Sequence, residues 1–545
     1  VPDSLRDYNL DEQVPHVIEM FAEEAKNLRK ASELLAKLTG GKGEEAATME
    51  KTAIQLEGFV YDVETIPERL DNFSSNISAL AAWIQSATEQ PLTIDYIVIA
   101  SPEQKLPRAD APWYSKFVFE IKRFLMSFVS DYDIISSADD DGENHQTVTL
   151  WIGTGRDQAQ VLKSLIDNTF TPQTGIRVNL RLVDMGILLR AVASNQGPDV
   201  AIYQAQSTPV DYALRGALQD LTVFEDLPEV LERFAPSARE PFMIGDSLYA
   251  LPEQQTFDMM FYRKDILADL GLEIPQTWED LYAIIPILQK NNLDVGLNTP
   301  MDTATGRTIN SVYLSILYQN GGTIYNEDKS RAVLDSPVAI ESFIKWTELY
   351  TKYKLPLKFD TLTRFRMGTM PIVISPYTLY NSLAVAAPEI RGLWGMAPVP
   401  GTLKEDGTID RSVSGTTTGA VMFKNAKDKE ASWEFLKWWT SEDTQLKYGQ
   451  EMEGLQGASA RWPTANLAAM DKLPWPTADA KSIQEQWKYV KAVPEVPGGY
   501  YTGRYMDNAV RSVINSGVDA RETLLDAVET MNDEIIQKRK EFGME

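Results

Sequence analysis

Apolar or small residues fall at Val14, Ile18, Phe21, Ala25, Leu28, Ser32 and Leu35. This alternating four-three spacing predicts a helix packed along one seam against another. Gly40, Gly41 and Gly43 end it, and a second helix is expected from about Glu44. A third follows Pro67, with Leu70, Phe73, Ile77, Leu80 and Ile84 on one face and Thr65 and Glu68 at cap spacing. Residues 91–101 read as a strand, and 112 to about 132 as a fourth helix with Phe117, Ile121, Phe124 and Phe128 inward. Residues 1–135 therefore read as a small helical bundle, a scaffold or spacer whose lone strand must find an edge elsewhere. The polar run 136–146 reads as a linker.

At Thr147 the rhythm changes. Strands are expected at 148–153, 176–183 and 199–203, separated by helices at 157–170 and 186–194. That β-α-β-α-β order predicts parallel pairing and an α/β domain. Farther on, residues 247–282 read as a short strand ending at Leu251-Pro252, an irregular polar run, a second strand and a short helix. A turn and another helix follow, with Thr277 and Asp280 at capping-box spacing. Polar residues from Glu253 to Asp258, held by strands on both sides, suit a cleft between two lobes. Residues 282–355 are expected to be mostly helical, with Pro286 kinking one helix.

Composition narrows the chemistry. The chain of 545 residues is too long for one core. Its 78 acidic and 52 basic side chains leave a net charge of −26, a field that repels nucleic acid and anionic lipid. There is no cysteine, so disulfides, thiolate metal sites and thiol nucleophiles are excluded. The two histidines, His16 and His145, fall in a helical pattern and in the linker, which disfavours a Ser-His-Asp triad or a histidine zinc site. No metal or cofactor is expected. An EF-hand reading of Ser137 to Val148 fails because Val148 stands where a bidentate Glu is needed. A dinucleotide reading of Gly153 and Gly155 with Asp184 fails because Gln158 replaces the third glycine. No run is long and apolar enough to span a membrane. A chain beginning at Val1 is expected to be a processed form or a fragment, with any targeting or anchoring segment upstream.

Leu251, Pro252, Tyr262, Lys264, Asp265, Leu267, Gly271, Leu272, Pro275, Thr277, Trp278 and Leu281 form an ordered set. It resembles the hinge signature of family 1 extracellular solute-binding proteins of ABC importers, with Arg263 where that family usually has Asn. GPDVAIYQAQ (197–206), GALQDLT (216–222), residues 320–346, 367–383, 392–401, 413–441 and 455–466, and the helical tail resemble later passages of the same family. The resemblance covers about 147–543. It implies an α/β, periplasmic-binding-protein-like, two-lobed (type II) fold of the maltose-binding kind, with an additional mostly α-helical N-terminal domain. The implied division is 1–146 for that domain and linker, 147–255 and 414–455 for the first lobe, and 256–413 and 456–545 for the second. The ligand cleft lies between the lobes.

The implied function is capture of an oligosaccharide and its delivery to ABC permease subunits. The implied setting is a monomer at the bacterial cell surface, without catalysis. Flat aromatic faces pack on the C–H side of sugar rings, while amides and carboxylates bind paired hydroxyls. The candidate ligand residues are Trp151, Arg156, Tyr203, Gln204, Gln206, Gln255, Phe257, Asp258, Tyr377, Tyr380, Trp394, Thr417, Trp462, Tyr501 and Arg504. The first five stand at or just beyond strand C-termini, where open α/β sheets place ligands. Tyr377 stands where the family often has a stacking Trp. With 12 Trp, 22 Tyr and 19 Phe in the chain, most aromatics must belong to the core. Arg156, Arg461 and Arg504 suit either a uronate or sulfate ligand or salt bridges within an acidic chain. The alternative function is a polysaccharide-degrading enzyme, since two carboxylates suffice for glycoside hydrolysis.

Overall fold

A computed structural model describes residues 10–39, 41–67, 146–298 and 308–544, with scattered helical positions between 69 and 121. The expected strand at 91–101, nearly all of the linker and most of the expected fourth helix lie outside the described residues. The chain divides into two compact units, Val1–Thr93 and Ile94–Glu545.

In the first unit, α1 (Pro15–Thr39) packs on α2 (Glu44–Tyr61). Ala25 and Ser32 are the buried seam residues, and small side chains there let the two backbones approach. Ser32 is satisfied although buried, because its hydroxyl donates to the Ala46 carbonyl at 2.7 Å. Phe21, Phe59 and Phe73 form an edge-on trio with centroids 5.5–6.1 Å apart, which closes the small core. Of the face expected inward on the third helix, Leu80 is buried, but Leu70, Ile77 and Ile84 remain exposed.

The second unit holds two separate hydrophobic cores. Around the first lie β1 (Thr147–Ile152), α3 (Arg156–Leu165), β2 (Arg177–Leu182), β3 (Val200–Gln204) and α4 (Ser207–Leu214). As expected, β1 pairs in parallel with both β2 and β3. The polar run expected to be irregular is instead part of one 13-residue strand, β4 (Leu251–Arg263). Its polar side chains find partners on both sides, so the ladder continues through them. β4 starts in the first core at Leu251 and enters the second at Phe257.

The second core is built from α5 (Trp278–Lys290), β5 (Val295–Gly296), α6 (Ser311–Gln319), β6 (Ile372–Pro376) and β7 (Trp394–Ala397). β8 (Val413–Met422) then runs back antiparallel to β4, passing from the second core to the first. The helices α7 (Lys429–Trp439) and α8 (Glu442–Gln456) cover the first core. The chain returns between Ala465 and Met470. Trp462 and Ala465 pack in the first core, so this crossing lies beyond residue 456. A two-residue strand, β9 (Val490–Lys491), and two long helices, α9 (Gly499–Ser516) and α10 (Ala520–Glu541), complete the second core. Sheet order among the described residues is β2-β1-β3-β8-β4-β6-β5, with β9 on β8 and β7 on β4.

Local signals hold where both partners are close in sequence. The Asp280 backbone N–H donates to the Thr277 hydroxyl at 3.1 Å, and the Asp280 carboxylate accepts from Thr277 N at 2.9 Å. Arg263 is buried, pairs with Asp265 through two bonds, and caps the Phe365 and Arg366 carbonyls at 3.1 Å. Its guanidinium thus ties β4 to the end of a neighbouring helix. The glycine that tempted a nucleotide reading has a packing reason: a Cβ on Gly153 would lie 2.5 Å from Met185 Cγ.

Candidate functional site

Three chain segments join the two cores, and each carries polar side chains. On β4, Glu253 accepts from Trp439 Nε1 and from the Tyr203 backbone N–H at 2.8 Å. Burial pushes its carboxyl up to about 8, against the pull of those two donors. Two residues on, Gln255 donates to Ser237 at 3.1 Å and accepts from Trp487 Nε1 at 3.0 Å. Just before the third crossing, Thr464 and Trp462 both donate to Gln445 Oε1 at 2.7 Å. A Cβ on Gly415 would lie within 2.9 Å of both Val490 and the Gln255 side chain, so β8 passes here only as glycine.

Where these segments meet, a cavity of about 530 Å³ opens between the two cores. The first core contributes the turn Ala205–Ser207 after β3. The strands β4 and β8 form its floor through Thr256, Phe257, Asp258, Ser414 and Thr416. The second core supplies Asn298, residues 308–311, Tyr325, the segment Val493–Glu495, and Tyr500 and Asp507 of α9.

Gln206 spans the cavity wall. Its side-chain carbonyl accepts from Thr417 N at 3.0 Å, while its amide donates to Val493 O and Glu495 Oε1, each at 3.2 Å. Both Asp258 oxygens accept from Asn298 Nδ2, at 2.9 and 2.8 Å. Burial raises the Asp258 carboxyl above its ordinary range, opposed by Ser311 and Asn298. Glu495 is pushed up to about 7 by burial, opposed by the Gln206 hydrogen bond and reinforced by Asp211. Asp507, by contrast, is paired with Arg511 at 3.0 Å. Among the described residues lining the cavity there is no Lys, Arg or His. No group of three or more His, Asp or Glu among the described residues suits a metal ion.

Of the expected ligand residues, Gln206, Phe257 and Asp258 line this cavity. Thr417 lends its backbone to Gln206, but its side chain is buried. Tyr501 stacks beside Tyr500 with centroids 4.2 Å apart, and Arg504 lies over Tyr501 at 5.6 Å, so both flank the cavity without lining it.

The others lie elsewhere, each for a packing reason. Trp151 and Gln204 are buried in the first core, and the Gln204 amide donates to Ile202 O. Tyr203 adopts φ +59°, which turns its ring inward to join Trp439, Tyr448 and Trp462, and its hydroxyl donates to Tyr448 at 2.8 Å. Trp462 is held in that cluster through Gln445. Gln255 is fully buried between Ser237 and Trp487. Tyr377 supports Phe257 from behind, 4.9 Å away, and donates to Gln255 O at 2.9 Å. Tyr380 and Trp394 cluster with each other, and Tyr380 also with Trp475. Arg461 covers Trp475 at 4.8 Å and pairs with Glu453, so it offers no anion clamp. Arg156 is exposed at the start of α3, outside the cavity.

Sequence reasoning missed Asn298, Ser311, Tyr325, Glu495, Tyr500 and Asp507. The adjacent Tyr501 carried a signal for Tyr500. Nothing local marks Asn298 or Ser311, which reach the cavity only because β5 and α6 pack beside β4 and β6.

Comparison with known proteins places residues 153–446 in the family of bacterial extracellular solute-binding proteins. Residues 1–89 match the 4-helix bundle domain of bacterial solute-binding proteins. A maltotriose-binding protein of Pyrococcus abyssi is 27% identical over 308 residues, spanning 55% of this chain and 64% of its own length. Among solved structures, the sugar-binding protein MalE of Xanthomonas citri aligns with a TM-score of 0.62 at 19% identity. That alignment covers 73% of this chain and 100% of the other. A cyclic α-maltosyl-1,6-maltose binding protein of Arthrobacter globiformis gives 0.61 at 18%, covering 72% and 100%. The fold is thus the two-lobed fold of these solute-binding proteins.

Proposed function

Because the chain belongs to the family of bacterial extracellular solute-binding proteins, we propose that it captures an oligosaccharide between its two lobes and hands it to an ABC permease. The observation that carries this reading is the cavity itself. It lies between two independent cores joined by three strand-like crossings, so a ligand held by both cores stabilises whichever arrangement brings them together. Phe257, Tyr325 and Tyr500 offer ring faces, and Gln206, Asn298, Ser414 and Thr416 offer hydroxyl partners. The maltotriose-binding relative and the sugar-binding protein of the same fold support this ligand class. In this reading the protein acts as a monomer on the outer face of the bacterial cell and catalyses nothing. The match of residues 1–89 to the 4-helix bundle domain supports the proposal that residues 1–146 serve as a helical domain with its linker.

Thermal shift against neutral oligosaccharides tests the reading. At a hundredfold excess over Kd, binding is expected to stabilise the native state by about 2.7 kcal/mol, which raises the melting temperature by several degrees. A reducing-sugar assay on the same mixtures is expected to stay flat, and turnover would establish the hydrolase alternative. Gln206→Ala is expected to weaken that binding by about 1–3 kcal/mol, because it removes the hydrogen bonds linking β8, the first-lobe turn and the 493–495 segment. Calorimetry checks this, and an unchanged Kd would remove Gln206 from the site.

A further inference from the structure

Asp258 and Glu495 stand apart from the chain's other cavity-lining acid. Asp507 has Arg511, whereas Asp258 is held by Asn298 and Ser311 alone, and Glu495 by Gln206. Among the described residues neither of the two forms an ion pair with Lys, Arg or His. Asp258 is 4% exposed and rises from the floor on β4, while Glu495 faces the cavity from the segment before α9. Two carboxyl groups thus face a ligand space with no cation beside them among the described residues. Any ligand that displaces water from that space must take over their solvation.

Three ligand classes fare differently. A neutral sugar hydroxyl can donate to each carboxyl, which replaces water without adding charge. A carboxylate or sulfate brings like charge into a space of low dielectric, so it binds only where the acids take up protons, at a cost that grows as pH rises. A protonated amine forms charge-assisted hydrogen bonds, roughly twice as strong as neutral ones. The neighbouring donors do not reverse this order, since each is an uncharged amide or hydroxyl. Among the described residues the groups facing Glu495 are Gln206, Asp211 and Tyr325, and those facing Asp258 are Asn298 and Ser311, so neither acid faces a described cation.

Resting on the oligosaccharide reading above, we infer that Asp258 and Glu495 set the charge selectivity of the cavity, favouring glycans with a protonated amino sugar and rejecting uronates and sulfated sugars. A cation beside Glu495, whose carboxyl is pushed up to about 7, drives its proton off, whereas a neutral ring burying it further draws a proton on.

The test compares three forms of one oligosaccharide that binds in the neutral form. The first is unmodified, the second carries an amine on each ring in turn, and the third has a ring oxidised to a uronate. Calorimetry near pH 7 is expected to show one amine form binding about tenfold tighter than the neutral one, with proton release read from the buffer dependence of the enthalpy. The uronate is expected to bind more weakly than the neutral form, by about tenfold more for each pH unit above 7, where it must put a proton on Glu495 or meet its charge. Asp258→Asn and Glu495→Gln are each expected to narrow the amine-to-uronate ratio. If Asp258→Asn does not fold, Glu495→Gln carries the comparison, because Glu495 lies outside the β4 ladder. A uronate bound as tightly as the neutral form, or a ratio unmoved in a folded Glu495→Gln protein, overturns the inference and leaves the oligosaccharide reading standing. If no saccharide of any charge binds, the oligosaccharide reading falls and takes the inference with it.

Discussion

Between pH 5 and pH 8 the two-lobed unit is expected to lose several kcal/mol of stability, and Glu253 is the main reason. Its side chain is 1% exposed, and its carboxyl is pushed from an ordinary 4.5 up to about 8. In that window the folded state holds the proton and the unfolded chain releases it. Stability is therefore full below about pH 4.5 and is lost as pH rises towards 8, by about 5 kcal/mol at most from this group. Glu495 and Asp258, both raised, act in the same direction. The carboxyls held below their ordinary values, such as Asp220 and Asp265, contribute stability that is lost only in more acid solution, so they do not offset the slope. Urea denaturation at pH 5, 6.5 and 8 measures it. Glu253→Gln is expected to flatten the slope while lowering stability at pH 5 by about 1–2 kcal/mol, since the amide nitrogen cannot accept one of the two hydrogen bonds. A wild-type stability that stays level from pH 5 to 8 would show that Glu253 is ionised in the folded state.

Replacement of Trp439 by alanine is expected to cost about 3–5 kcal/mol, the range for deleting a buried large aromatic. Trp439 is fully buried and sits edge-on to Tyr203 and Tyr448, 6.0 and 5.1 Å away. Its indole N–H also donates to Glu253. The change therefore opens a void and removes a donor that holds the Glu253 carboxyl down, so the alkaline loss of stability extends to higher pH. Trp439→Phe separates the two effects, retaining most of the packing and losing the donor, at about 1–3 kcal/mol. Because Tyr203 carries the chain into the turn that presents Gln206, both variants are also expected to weaken ligand binding. Denaturation midpoints within 1 kcal/mol of wild type for Trp439→Ala would show that the site collapses without cost.

The aromatic side chains show why part of the site was legible and part was not. Phe257 and Asp258 were readable because they belong to a polar interruption between two apolar runs, and Gln206 because it follows a strand that ends in a polar turn. Tyr203 was assigned to the ligand from its place at a strand end, Tyr377 from the family resemblance, and Trp462 as an aromatic of the expected cleft. They are buried because remote groups satisfy their polar tips: Tyr448 for Tyr203, the Gln255 carbonyl for Tyr377, and Gln445 for Trp462. An aromatic with a satisfied tip is free to pack, and neighbouring residues in sequence do not reveal whether that partner exists.

By itself the amino-acid order determined the parallel β-α-β start, the switch at Thr147, the cap at Thr277 and Asp280, and a polar passage between two lobes near Glu253, but not that this passage is one continuous strand. Those features depend on periodicity and on partners a few residues apart. Which face of each strand looks into the cavity, and that Asn298, Ser311, Glu495 and Tyr500 share it, was decided only when segments from distant parts of the chain packed together. Burial and hydrogen-bond satisfaction belong to the assembled neighbourhood, and no local pattern encodes them.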